Sequence, residues 1–226
     1  MIKRFLLIII IIISLIGLGI WSPWQNWKLD LPSILGIESK ERFGSLKVKS
    51  LAGEIDVFLD GEFKDTASDD EEFLEIVPVS VGEHTIRMVR RDEPEFPEVI
   101  RKLNFEAGAD VIIGYEMGPS EHFSEGHIFY ARKSYESKGK PILELFTTPD
   151  KTKVMLDGNF LGETPLKQIE LSSDSKHKLK FERDGYDPLE IEIFPDSQDE
   201  RQRLNEMVLT LEINLFARPI NIVNEN

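Results

Sequence analysis

The chain of 226 residues contains no cysteine and only four histidines. Without thiols it can form no disulfide, no haem thioether link and no thiolate metal site, and it has no acylated cysteine to act as a lipoprotein anchor. Positive charge is also scarce. Lys and Arg number 27 against 41 Asp and Glu, a formal net charge of −14. This balance argues against a nucleic-acid partner and against attraction to anionic lipid headgroups, and it favours solubility of an exposed surface. There is no Gly-rich phosphate loop. No sustained helical period appears after the first two dozen residues, so the ordered part must be built from strands.

One long hydrophobic run is present. Met1-Ile2-Lys3-Arg4 precedes an uncharged stretch from Phe5 to Trp21. Its roughly 17 residues span about 25 Å as a helix, slightly short of a hydrocarbon core. Snorkelling by Lys3 and Arg4, with Trp21, Trp24 and Trp27 at the far interface, makes up the difference. The run is apolar on every side, unlike a helix on the surface of a soluble core. A cleaved signal peptide is the competing reading, but Trp21-Ser22-Pro23-Trp24 is a poor cleavage site. The sequence predicts a cytoplasmic tip and a single-pass transmembrane anchor over 1–22, with everything beyond it extracytoplasmic. Residues 23–42, with Pro23 and Pro32, read as a membrane-proximal linker.

The remainder repeats itself. Val57-Phe58-Leu59-Asp60-Gly61-Glu62-Phe63 is answered 97 positions later by Val154-Met155-Leu156-Asp157-Gly158-Asn159-Phe160, and Leu46/Leu143, Val48/Leu145 and Ser50/Thr147 keep the same offset. Further on, His84-Thr85-Ile86-Arg87-Met88 answers His177-Lys178-Leu179-Lys180-Phe181 at a slightly shorter spacing. Alternation of apolar and polar residues marks strands, and each Asp-Gly marks a tight hairpin turn whose Gly takes positive φ. About seven short strands per copy at turn-punctuated spacing is the pattern of a small β-sandwich. A repeat this long is too wide for most solenoids, so each copy is expected to close its own core.

Thr147-x-Pro149, Val154-x-Leu156-Asp157-Gly158, Gly162-x-Thr164-Pro165-Leu166, His177 and Gly185-Tyr186 resemble the PEGA domain family, small all-β modules of cell-surface and membrane-anchored proteins with no catalytic activity. The tetrad that names the family stands here as Pro149-Asp150-Lys151-Thr152. The first copy departs further, with Ala52-Gly53-Glu54-Ile55 in that place and Lys64-Asp65-Thr66-Ala67 where Gly and Pro are expected. The expected fold class is all-β, two tandem small β-sandwich domains behind one N-terminal transmembrane helix. The first PEGA-like copy covers 43–118, a connector 119–140, the second copy 141–217 and a tail 218–226. His127 to Lys133 reads as an extra strand lying against one copy. Residues 197–205 read as a charged hairpin loop rather than a helical turn, because they lack an apolar stripe.

Residue types that carry chemistry are present, but not in catalytic patterns. His84 and His177 fall at matching strand starts, which points to turn chemistry. His122 and His127, with Glu121 and Glu125 beside them, offer donors for a metal. Asp69-Asp70-Glu71-Glu72 offers donors for calcium but lacks the alternating spacing and central Gly of a calcium loop. In both places a solvated charged loop is the simpler reading. Phe123, Phe129, Tyr130 and Tyr135 cluster in the connector, where packing competes with stacking on a sugar ring. The sequence therefore assigns no catalytic residue, cofactor or metal ligand. It points to a non-enzymatic spacer or protein-interaction module of the cell envelope or surface layer. The alternatives are a polysaccharide-binding module or an accessory or sensor domain of a membrane complex.

Overall fold

The computed structural model describes residues 43–134, 139–194 and 196–219. The predicted anchor over 1–22, the linker 23–42, Tyr135 and the end of the tail lie outside the described residues. Among the described residues no helix is long and apolar enough to cross a membrane.

The described chain is mostly strand. Its first part holds β1 (Phe43–Ser50), β2 (Glu54–Leu59), β3 (Glu62–Ser68), β4 (Leu74–Ser80), β5 (Gly82–Arg90), β6 (Val99–Phe105) and β7 (Asp110–Glu116). β8 (Glu125–Lys133) follows. The last part holds β9 (Ile142–Thr148), β10 (Lys153–Leu156), β11 (Asn159–Glu163), β12 (Leu166–Glu170), β13 (His177–Glu182), β14 (Leu189–Ile193) and β15 (Met207–Asn214). These strands form a seven-stranded sheet in the order β12-β9-β15-β8-β7-β1-β4 and two four-stranded sheets, β3-β2-β5-β6 and β11-β10-β13-β14. The two halves share one plan. In each, the first strand pairs parallel with the seventh and antiparallel with the fourth.

The halves are not two closed sandwiches. The strand expected to rest against one of them, β8, runs between β7 and β15 and is antiparallel to both. The reason lies in its two faces. Ile128 and Tyr130 point into the core of the first half, while Phe129 and Ala131 point into that of the second. Successive side chains on a strand face opposite ways, so the two cores lie on opposite faces of one shared sheet. β15 follows the same logic. Met207, Leu209, Leu211 and Ile213 belong to the second core, and Val208 and Thr210 on its other face are also buried. Apolar burial on both faces is the signature of a strand inside a layered sheet.

The stretch expected as a charged loop also differs. Gln198–Arg203 forms a short helix, α1, continued by a 3-10 turn at Leu204–Glu206. It needs no apolar stripe, because Arg201 holds it from the side. The guanidinium donates to the carbonyl oxygens of Asp196 at 2.6 Å and Ser173 at 3.1 Å, and Leu204 alone anchors it to the core.

Candidate functional site

Two constellations stand out, and the first is built twice. At each Asp-Gly turn both residues have positive φ: Asp60 at 52° and Gly61 at 82°, Asp157 at 50° and Gly158 at 80°. That is the backbone of a type I′ turn, whose twist suits the flanking strands. One carboxylate oxygen of Asp60 accepts from the Thr85 backbone N–H at 2.9 Å, and the other faces His84 Nδ1 at 2.6 Å. In the second half Asp157 accepts from the Lys178 N–H at 2.8 Å and faces His177 Nδ1 at 2.7 Å. Each imidazole Nε2 then reaches a carbonyl oxygen, that of Ser80 at 2.9 Å and that of Ser172 at 2.8 Å. The rings stand edge-on against Phe105 and Phe194. The hydrogen bond from His84 holds the Asp60 carboxyl below its ordinary value, and the Lys178 N–H and His177 do the same for Asp157. These are clamps that fasten a hairpin turn to the next strand pair.

The first clamp also brings the Ser80 hydroxyl to 3.1 Å from His84 Nε2, an arrangement of Asp, His and Ser. A nucleophilic serine needs that nitrogen as an acceptor. Here the same nitrogen faces the Ser80 carbonyl, to which it can only donate, so the geometry serves the turn.

The acidic and histidine clusters of the sequence separate in space. His122 lies in a 3-10 turn at Glu121–Phe123, whereas His127 lies on β8. Among the described residues no three His, Asp or Glu side chains are grouped to hold a metal ion. Asp69 spends a carboxylate oxygen on the Gly53 N–H at 3.0 Å. Of the connector aromatics, Phe129 and Tyr130 enter opposite cores and Phe123 packs against Phe216. Tyr130 donates to Glu212 at 3.1 Å, and burial together with that carboxylate pushes its hydroxyl up to about 12.

The second constellation was not legible as a motif. It is a cavity of about 520 Å³ between β14 and α1 on one side and the partly covered face of β1, β7, β8 and β15 on the other. This is the size of pocket that takes a side chain or a small ligand. Ile112, Phe129, Leu211 and Met207 form an apolar floor, and Ile191, Glu192, Ile193 and Phe194 line one wall in unbroken succession. The rim is charged. Lys47 pairs with Asp110 at 2.7 Å, a hydrogen bond that raises the lysine above its usual range. Glu200 and Arg203 approach from α1.

His127 is half-buried beside this floor, and among the described residues its side chain makes no hydrogen bond. Its ring fills the space over Gly114, where a Cβ would lie 2.5 Å from Cε1. Burial lowers its pKa from the ordinary imidazole value, with no carboxylate to oppose the shift.

Comparison with known proteins bears on the second half. Residues 141–210 match the PEGA domain, a span running from β9 into β15 and excluding β8. No curated protein matches the chain.

Proposed function

We propose that the protein is a non-enzymatic, single-pass cell-envelope protein whose β-region is an extracytoplasmic spacer and protein-interaction module. The observation that carries this reading is the PEGA match over 141–210. The first half supports it by repeating the strand plan, as a divergent copy of the same unit. The apolar run behind Lys3-Arg4 supports an anchor with its N-terminus in the cytoplasm. The paired Asp and His side chains are engaged by backbone groups, which favours a structural role over catalysis.

A polysaccharide-binding module is less well supported. Sugar stacking favours a strip of exposed aromatics. Among the described residues the two most exposed aromatics, Phe160 and Phe43, stand on different sheets. The test is a protease added to cells with a permeabilised outer wall. The reading expects loss of a C-terminal tag while the inner membrane is intact. A tag cut only after membrane lysis places the β-region in the cytoplasm and overturns the reading.

A further inference from the structure

We propose that the outer edge of β14 is a strand-addition site for an extended peptide of a partner protein, one that alternates apolar residues toward the cavity with Lys or Arg toward solvent. This rests on the reading of the chain as a protein-interaction module and supplies that module's contact surface.

The first support is an open edge beside an open floor. Among the described residues β14 pairs only with β13, so the backbone groups on its other side have no strand partner. Four consecutive residues of this edge, Ile191 to Phe194, line the cavity. Beyond them the floor of Ile112 and Phe129 is only half-buried. A strand added at the usual spacing of about 4.8 Å lies over this floor. Its inward side chains then enter the cavity, while its main chain bonds to the β14 edge. This is how strand addition divides the labour: backbone bonds give affinity, pockets for alternate side chains give specificity.

Charge sets the outward residues. Leu189, Ile191 and Ile193 face the core, so Glu190 and Glu192 face solvent. The neighbouring β13 presents Lys178 and Lys180 on that face, in register with Glu192 and Glu190. Lysine and glutamate thus form adjacent columns, with Lys178 to Glu190 at 2.5 Å. The next column is favourable only if it is cationic, because opposite charges across strands stabilise and like charges repel. The same rule disfavours a second copy of this chain adding through β14, since glutamate would face glutamate. The net charge of −14 also draws a basic partner.

In the first half the matching edge, β6, also lacks a second strand among the described residues, but a side chain spans the gap beside it. Ile191 lies opposite Leu179, and its counterpart Arg101 lies opposite Ile86 on β6. Arg101 reaches across to Glu212 of β15, which also accepts from Tyr130. Where the first half has a guanidinium bridging to the shared sheet, the second has an isoleucine and empty space.

The test uses the full-length chain in lipid nanodiscs and a labelled synthetic peptide of alternating Val and Lys, followed by fluorescence anisotropy. Saturable binding is expected, weaker by about tenfold or more when Lys is replaced by Glu. Methylating every second backbone nitrogen should abolish binding in one register and spare it in the other. Ile191→Arg copies the first half's bridge and should remove binding, while Ile100→Arg on the outward face of β6 should leave it unchanged. No binding overturns the proposal, as does binding indifferent to methylation and to Ile191→Arg, which is attraction to an acidic surface only. Either failure leaves the module reading to stand or fall on the protease experiment.

Discussion

The two halves use one strand plan, yet they differ at the two places where that plan must be completed by side chains. At the edge facing the shared sheet, the first half reaches across with Arg101 and the second leaves a cavity beside Ile191. At the corner after the first strand the contrast is reversed. Thr147, Thr152 and Thr164 are buried together in the second half: Thr152 donates to the Pro149 carbonyl at 2.8 Å, and its N–H reaches the Thr164 hydroxyl at 3.1 Å. The positions 97 residues earlier are Ser50, Ile55 and Ala67, equally buried but with only one hydroxyl, which donates to Ala52. One backbone corner is thus stabilised once by a closed set of hydrogen bonds and once by apolar packing. The span that matches the PEGA domain, residues 141–210, holds the polar version.

The comparison can be broken most forcefully at β8, whose faces serve different cores. Ile128 is 2 % exposed in the first core, whereas Phe129 lies half-buried over the cavity. Ile128→Ala should cost about 2–4 kcal/mol. Phe129→Ala removes more atoms, yet its cost should be smaller, because part of its surface already faces empty space. Denaturant midpoints of the two variants check this, and a larger loss at Phe129 contradicts a half-filled site.

The corner offers a sharper contrast. Thr164→Val keeps the shape but removes the acceptor for the Thr152 N–H, which is then buried without a partner, at a cost of about 1–3 kcal/mol. At Ala67, Ala67→Ser adds a hydroxyl into apolar surroundings, so it too should destabilise, though less. Equal stability of wild type and Thr164→Val would show that water or a relaxed backbone replaces the bond.

The turns should respond alike. A Cβ at Gly61 or Gly158 meets nothing within 4 Å, so only the backbone conformation resists substitution. Gly61→Val and Gly158→Val should each cost about 1–2 kcal/mol, and the Asn variants clearly less, since Asn visits the left-handed region more readily. A marked difference between the two halves would mean that the clamps are unequal.

The hairpins were legible because the cue and the structure are both local. Asp-Gly between alternating residues specifies a turn type, and a histidine repeated at matching strand starts points to its clamp. The place of β8 was not legible. Ile128, Phe129, Tyr130 and Ala131 form an apolar run that fits a strand against one domain as well as a strand between two. Only its pairing partners distinguish these cases. The helix α1 was missed because its anchor is Arg201 bonding to distant carbonyls rather than an apolar stripe. The cavity joins Lys47, Asp110, Phe129 and Ile191, from four separate strands, so no sequence spacing announces it.

The claim on which the rest depends is that the halves share one sheet and unfold together. Hydrogen exchange followed by mass spectrometry, at increasing denaturant, tests it on the full-length chain bearing Ile128→Ala. Regions of one cooperative unit lose protection together. The substitution lies in the first core, yet β9 and β15 of the second half should lose protection by the same free energy as β1 and β7. If only β1 to β7 become easier to open while β9 and β15 keep their wild-type protection, the halves are independent domains and the shared sheet does not couple them.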